Sequence, residues 1–325
     1  MVERLSGILG QERAVNLLRR YLSAGAVPHG LLFSGEEGVG KEKAAHAFAA
    51  ALLCRTPGED GACGDCHDCR LFSSSSHPNF LHIFPETDFL KIAEIRALQE
   101  ELALKAFSDR PRAAILCPAD RMTPQAANAL LKTLEEPPPE THLILVAHRI
   151  AGMMPTIVSR CQKVPFFPLP PDIAAEILSR HPEAGGYPPA VIRLACAVSG
   201  GSPGRALALL PDLSEEREKW LSLFAKSSPK AAVDLAETFK GDGDGPGRLA
   251  APLSLARDLT LLSSGGGTAI MNEDLREPLT AAAAHPPTGG WDTAFRALLE
   301  ISRMPPQPQK RLMLEAFFFG LRKKG

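Results

Sequence analysis

Through the first half of the chain, short apolar runs alternate with longer stretches of helical period. The runs LLFS (31–34), FLHI (80–83), AAILC (113–117), LILVA (143–147) and VPFF (164–167) are nearly continuous in apolar residues, as strands covered on both faces require. Between them the pattern predicts helices over 11–24, 41–53, 91–104 and 125–135, with Ile92, Ile95, Leu98 and Leu102 sharing one face of the third. Thr123 can cap the fourth, Pro124 suits its first position, and the prolines at 137–139 end it. Strands alternating with helices predict an α/β domain, a parallel sheet flanked by helices.

After PFFPLPPD the strand pattern stops. Helical patterns over 173–180, 190–198 and 204–210 predict a small helical unit, with GGSPG ahead of its last helix. From Leu213 onward SEEREKWLSLF, AAVDLAETF, PLSLARDLTLL, TAFRALLEI and KRLMLEAFFFGLR read as helices, and the Gly-rich GDGDGPG (241–247) and SSGGG (263–267) as connections. The expected division is 1–168, 169–211 and 212–325, with no internal repeat.

Charge changes this picture little. Lys plus Arg number 36 against 37 Asp plus Glu, so any nucleic-acid contact must come from local placement, not a global basic field. The start, MVERLSGILGQERAV, carries charges where a signal peptide needs an apolar run, and no stretch approaches a membrane span. A soluble cytoplasmic protein without a membrane partner is expected. Four of the seven cysteines crowd into 54–69, which in a reducing compartment points to metal binding over disulfides.

GEEGVGK (35–41) follows a predicted strand and opens a predicted helix. Gly35, Gly38 and Gly40 let backbone N–H groups curl around phosphate, Lys41 adds a point charge, and the helix start adds its dipole. A Gly-rich turn without ligand is the alternative, and the order strand, loop, Lys, helix favours the phosphate loop. Hydrolysis needs more. Position 42 is Glu where a working loop has Ser or Thr for magnesium. The strand AAILC runs into Pro118, Ala119 and Asp120, so Cys117 and Pro118 stand where an acidic pair is required. Asp120 lies past the strand end and reads as a solvated turn residue. The fold of an ATPase is expected, without its catalytic set.

Cys54, Cys63, Cys66 and Cys69 follow C-x8-C-x2-C-x2-C. Four thiolates on one compact loop suit tetrahedral zinc, and a site closed by four cysteines is structural. Free thiols or a redox pair are the alternatives, which the fourth cysteine disfavours. His67 receives no ligand role, and Cys117, Cys161 and Cys196 sit in apolar settings that suggest core positions.

With these residues assembled, the chain resembles the bacterial DNA polymerase III clamp-loader subunits, a branch of the AAA+ ATPases. LSGILGQERAVNLLRRYL with PHGLLFSGEEGVGK, the four-cysteine insert, NALLKTLEEPP (128–138) and IVSRC (157–161) carry the resemblance. It implies an AAA+ domain with a zinc knuckle, a small helical lid and an all-helical collar. The family's gamma/tau motors keep Ser or Thr after the loop Lys and an Asp-Glu pair on the later strand. The departures at Glu42, Cys117 and Pro118 imply the non-hydrolysing stator of the loader ring. Its implied partners are gamma/tau and delta subunits, the sliding clamp, and primed DNA through the assembled complex. By the same resemblance Arg160 is an arginine finger for a neighbouring motor, where the alternative is a salt-bridged surface Arg. Arg205 lies near the family's second nucleotide sensor, with Gly204 in the sensing position, and its role stays open. Two other functions compete: a motor that uses Glu42 as an unusual metal ligand, and a zinc-dependent nucleic-acid module. CGDCHDC holds no Lys, Arg, Phe, Tyr or Trp, which weakens the latter.

Overall fold

The computed structural model describes residues 2–85, 87–104, 111–226, 249–267, 269–304, 312–314 and 316–317. The expected helix AAVDLAETF, the connection GDGDGPG and most of KRLMLEAFFFGLR lie outside these residues. The chain forms two compact units, Met1–Ile173 and Ala174–Gly325.

The first unit is built on five parallel strands, β1 (Gly30–Ser34), β2 (Phe80–Ile83), β3 (Arg112–Leu116), β4 (Thr141–Ala147) and β5 (Gln162–Pro165). Their order across the sheet is β2-β3-β4-β1-β5. Five helices accompany them first: α1 (Glu12–Ala24), α2 (Lys41–Leu53), α3 (His67–Ser73), α4 (Ile92–Ala103) and α5 (Pro124–Glu135), followed by the short α6 (Pro155–Val158). Alternate side chains of each strand point to opposite faces. Leu31 and Phe33, Ala113 and Ile115, and Ile144 and Val146 therefore join one core with Leu18 of α1 and Phe48 of α2. Leu32, Ala114 and Leu116, and Leu143 and Leu145 join the other, with Ile95 and Leu98 of α4 and Leu130 and Leu134 of α5. The apolar runs of β1, β3 and β4 thus reflect burial on both faces, whereas β2 is half-buried and β5, which lies at 162–165 and not at the expected 164–167, buries only Val164.

Local signals place several element ends as expected. The Thr123 hydroxyl accepts the Ala126 N–H at 3.3 Å, and Pro124 opens α5. α3 was not expected. Its seven residues lie inside the cysteine-rich segment, and Cys66 caps it by accepting the Cys69 N–H on sulfur.

The unit boundary falls within α7 (Pro171–Ser179). Beyond it come α8 (Pro189–Val198), α9 (Pro203–Lys226), α10 (Ala250–Ser263), α11 (Arg276–Ala283) and α12 (Gly290–Arg303), with no strand among the described residues. The helices expected at 204–210 and in SEEREKWLSLF are a single helix, α9, which runs through Pro211. A proline removes one intrahelical hydrogen bond, but Leu210 and Leu213 on either side are wholly buried and hold the helix to the bundle. Trp220, Phe224 and Trp291 stack at centroid distances of 5.9 and 5.8 Å in its core. The buried Asp258 carboxylate accepts the Met271 and Asn272 N–H groups at 3.0 and 2.8 Å.

Candidate functional site

Ligands of parallel α/β sheets gather at the carboxyl ends of the strands, and residues 35–40 join that end of β1 to α2. Gly35 has no room for a side chain, since an added Cβ would lie 2.3 Å from the Phe166 carbonyl oxygen. Gly40 caps α2 at φ +95°, in the left-handed region that favours glycine, and Gly38 lies between them at φ +76°. Buried Gln11 braces the loop: its amide donates to the carbonyls of Val39 at 3.2 Å and Phe167 at 2.7 Å and accepts the Phe167 N–H at 3.1 Å.

Lys41 is only 3% exposed. Its Nζ donates to the Glu36 carbonyl at 2.5 Å and lies 3.3 Å from His148 Nδ1. Burial pushes its pKa down, against the pull of the Asp120, Glu37 and Glu36 carboxylates. Glu42 follows, more than half exposed, and accepts the Cys117 thiol at 3.7 Å. Burial, and then Glu42, push that thiol up to about 12, so it stays protonated and offers no charge.

Asp120 is the first carboxylate after β3, and its role differs from the solvated turn residue expected. One oxygen accepts the His148 N–H at 2.9 Å and the other the Arg149 N–H at 3.1 Å. It pins the end of β4 beside Lys41. Gln11 and His148 escaped the sequence reading, although a polar residue immediately after an apolar strand, as in AHRI, is a usable signal.

The four cysteines meet where α2 ends. Cys54 is its C-cap, and the four sulfurs lie within 4.8 Å of one another. Cys54 and Cys66 are separated by 3.9 Å, and Cys63 and Cys69 by 3.8 Å. Tetrahedral zinc with bonds of about 2.3 Å sets sulfurs about 3.8 Å apart, so the cluster suits a structural zinc. Backbone N–H groups of Cys63, Cys66 and Cys69 donate to Cys54, Cys63 and Cys66 sulfur at 3.3, 3.4 and 3.4 Å. Such bonds favour thiolate, and those from Asp65 and Cys66 bring Cys63 down to about 6.

The knuckle is tied to the unit on several sides. Asp60 accepts from Arg19 at 2.6 Å and from the Ser6 N–H at 2.9 Å. Arg55 pairs with the nearly buried Asp68 at 2.8 Å, and Arg4 donates to the Cys63 carbonyl at 3.3 Å. Val2, Ala50 and Ala62 pack against Cys54 and Cys69.

Arg160 lies apart from both groups. It precedes β5, and its carbonyl approaches Gly30 at the amino end of β1. The phosphate loop leaves the other end of the same strand, about 13 Å away at the usual rise per residue. Its guanidinium pairs with Glu135 at 2.5 Å and donates to the Thr156 carbonyl at 3.0 Å. Arg205 stands exposed in the first turn of α9, its N–H bonded to Ser202 Oγ at 3.2 Å.

The parallel sheet, the Gly-rich turn into α2 and the cysteine knuckle define an AAA+-type module of the phosphate-loop class. Residues 10–170 match the family described as DNA polymerase III, delta subunit. The chain is 37% identical over 161 residues to DNA polymerase III subunit delta' of Bacillus subtilis (strain 168), covering 50% of this chain and 49% of that protein. It is 34% identical over 209 residues to subunit delta' of Escherichia coli (strain K12), covering 63% and 62%. Similarity also reaches DNA polymerase III subunit gamma/tau of Mycobacterium tuberculosis (strain ATCC 25618 / H37Rv), 32% over 211 residues, 63% of this chain and 36% of that protein. The matched region thus spans about half to three-fifths of the length of the delta' relatives. At the level of the family, the chain matches the clamp-loader AAA+ subunits of DNA polymerase III, delta' and gamma/tau among them.

Proposed function

We propose that this chain is a non-hydrolysing clamp-loader subunit of the delta' kind. It works in a ring with gamma/tau and delta subunits that opens a sliding clamp and closes it on primed DNA. The single observation that carries this reading is the loop's chemistry. Lys41 is kept, but Glu42, Cys117 and Pro118 occupy the positions where magnesium needs a hydroxyl and an acidic pair. The first carboxylate after β3, Asp120, is spent on backbone N–H groups.

In this reading residues 1–168 are the ATPase-like part, 169–211 the lid and 212–325 the collar. Zinc on Cys54, Cys63, Cys66 and Cys69 cross-links the knuckle and performs no chemistry. Gly35, Gly38, Gly40 and Lys41 form a degenerate nucleotide loop. Arg160 reaches a neighbouring motor's phosphates in trans, because its own loop lies at the far end of β1.

The gamma/tau similarity favours a second reading, a motor that holds magnesium through Glu42. Steady-state ATP hydrolysis by the purified chain, with and without primed DNA, separates the two. Turnover at background is expected. Turnover above background that Lys41→Ala abolishes would promote the motor.

A further inference from the structure

Glu42 does more than displace a hydroxyl. It and His46 lie one turn apart on α2, so their side chains share a face, and β2 brings His82 to that face. One ligand atom from each of the three lies within 4.8 Å of the others. The two imidazoles stand 4.8 Å apart at 87°. His82 Nε2 is buried without a hydrogen-bond partner, and Glu42 Oε1, at 3.7 Å, is too far to supply one.

We propose that Glu42, His46 and His82 form a second metal site, which takes a first-row divalent transition ion, zinc foremost, through two imidazoles and one carboxylate. The donor set selects the ion: imidazole suits zinc, nickel and copper, whereas magnesium and calcium prefer all-oxygen sites. Zinc bonds of about 2.0–2.2 Å hold ligand atoms about 3.4 Å apart. Glu42 Oε1 and His82 Nε2, at 3.7 Å, are already close to that spacing, and the three atoms together need to close by at most about 1.4 Å. Phe80 at 5.6 Å from His46 and Phe84 at 5.5 Å from His82 wall the site with rings that cannot compete as ligands. The Cys117 thiol, donating to Glu42 Oε2 at 3.7 Å, leaves Oε1 turned to the histidines. The site begins at the residue after Lys41, extends one turn along α2, and is separate from the cysteine cluster at that helix's other end.

The test uses the full chain carrying one equivalent of zinc, titrated with Co2+ in a spectrophotometer and with Zn2+ by calorimetry. Wild type is expected to take a second equivalent, whose cobalt form gives weak d–d bands without thiolate charge transfer. Glu42→Gln, at a half-exposed position, and His82→Asn should each weaken that equivalent by more than about a hundredfold, a loss that even outer-shell changes can approach. Both should keep the first zinc. Saturation of wild type at one equivalent overturns the site, as does a second equivalent retained by the Glu42→Gln/His82→Asn double variant.

Discussion

Lys41 and Glu42 are adjacent in sequence and belong to different chemistries. The lysine is buried against its own loop, while the glutamate faces Cys117 and two histidines. The Gly-rich turn into α2 and the grouping of the four cysteines could be read from the sequence because each sits in a short spacing pattern, whereas Arg160 stood on the resemblance of IVSRC alone. The contacts of His148, Gln11 and the His46–His82 pair could not be read, because their partners lie on other elements and are neighbours only after the sheet forms. Gly35 offers a test of the loop's geometry. A methyl there meets the Phe166 carbonyl, which is backbone and cannot swing aside. Gly35→Ala should cost about 1–3 kcal/mol, the usual range for overpacking. For a unit of this size that lowers the melting temperature by about 2–4 °C per kcal/mol. An unchanged melt would show that the loop relaxes freely.

Among elements, β1, β3 and β4 could be read because burial on two faces leaves nearly continuous apolar runs, while the exposed β5 was placed two residues late. α3 could not: seven residues carry too little period, and its start depends on the Cys66 sulfur. α9 ran past its expected end because buried leucines on both sides of Pro211 override the local stop signal. The knuckle should hold one zinc as purified, measured by metal analysis, since its four sulfurs already approach tetrahedral separations. Cys66→Ser should release that zinc and loosen 54–69, with the sheet still unfolding cooperatively, because the two main cores lie outside the knuckle. Loss of cooperative unfolding in this variant would mean that the metal supports the whole unit. Thr123→Ala removes the α5 cap at a cost of about 1 kcal/mol, readable in the same melt.

Over the whole molecule, the strand order was beyond the sequence, since adjacency in β2-β3-β4-β1-β5 is non-local. That order nevertheless decides the functional geometry. β1 lies beside β5, so Arg160 emerges at the opposite end of the sheet from residues 35–41. A guanidinium there lies out of reach of this chain's own phosphate loop. Its pair with Glu135 is exposed, and such pairs contribute about 0–1 kcal/mol, so giving it up for a phosphate costs little and Arg160→Ala should still fold.

The most direct test is clamp loading on primed DNA by a reconstituted loader carrying wild type, Arg160→Ala or Arg160→Lys. A finger in trans speeds phosphoryl transfer by about a thousandfold or more, but only one of several sites in the ring would lose it. Assembly should therefore persist and total ATP turnover fall in part, while loading, which needs the sites together, slows further. Lys should rescue little, because it lacks the planar fork. Wild-type loading by both variants would contradict the trans role and leave Arg160 as the surface partner of Glu135.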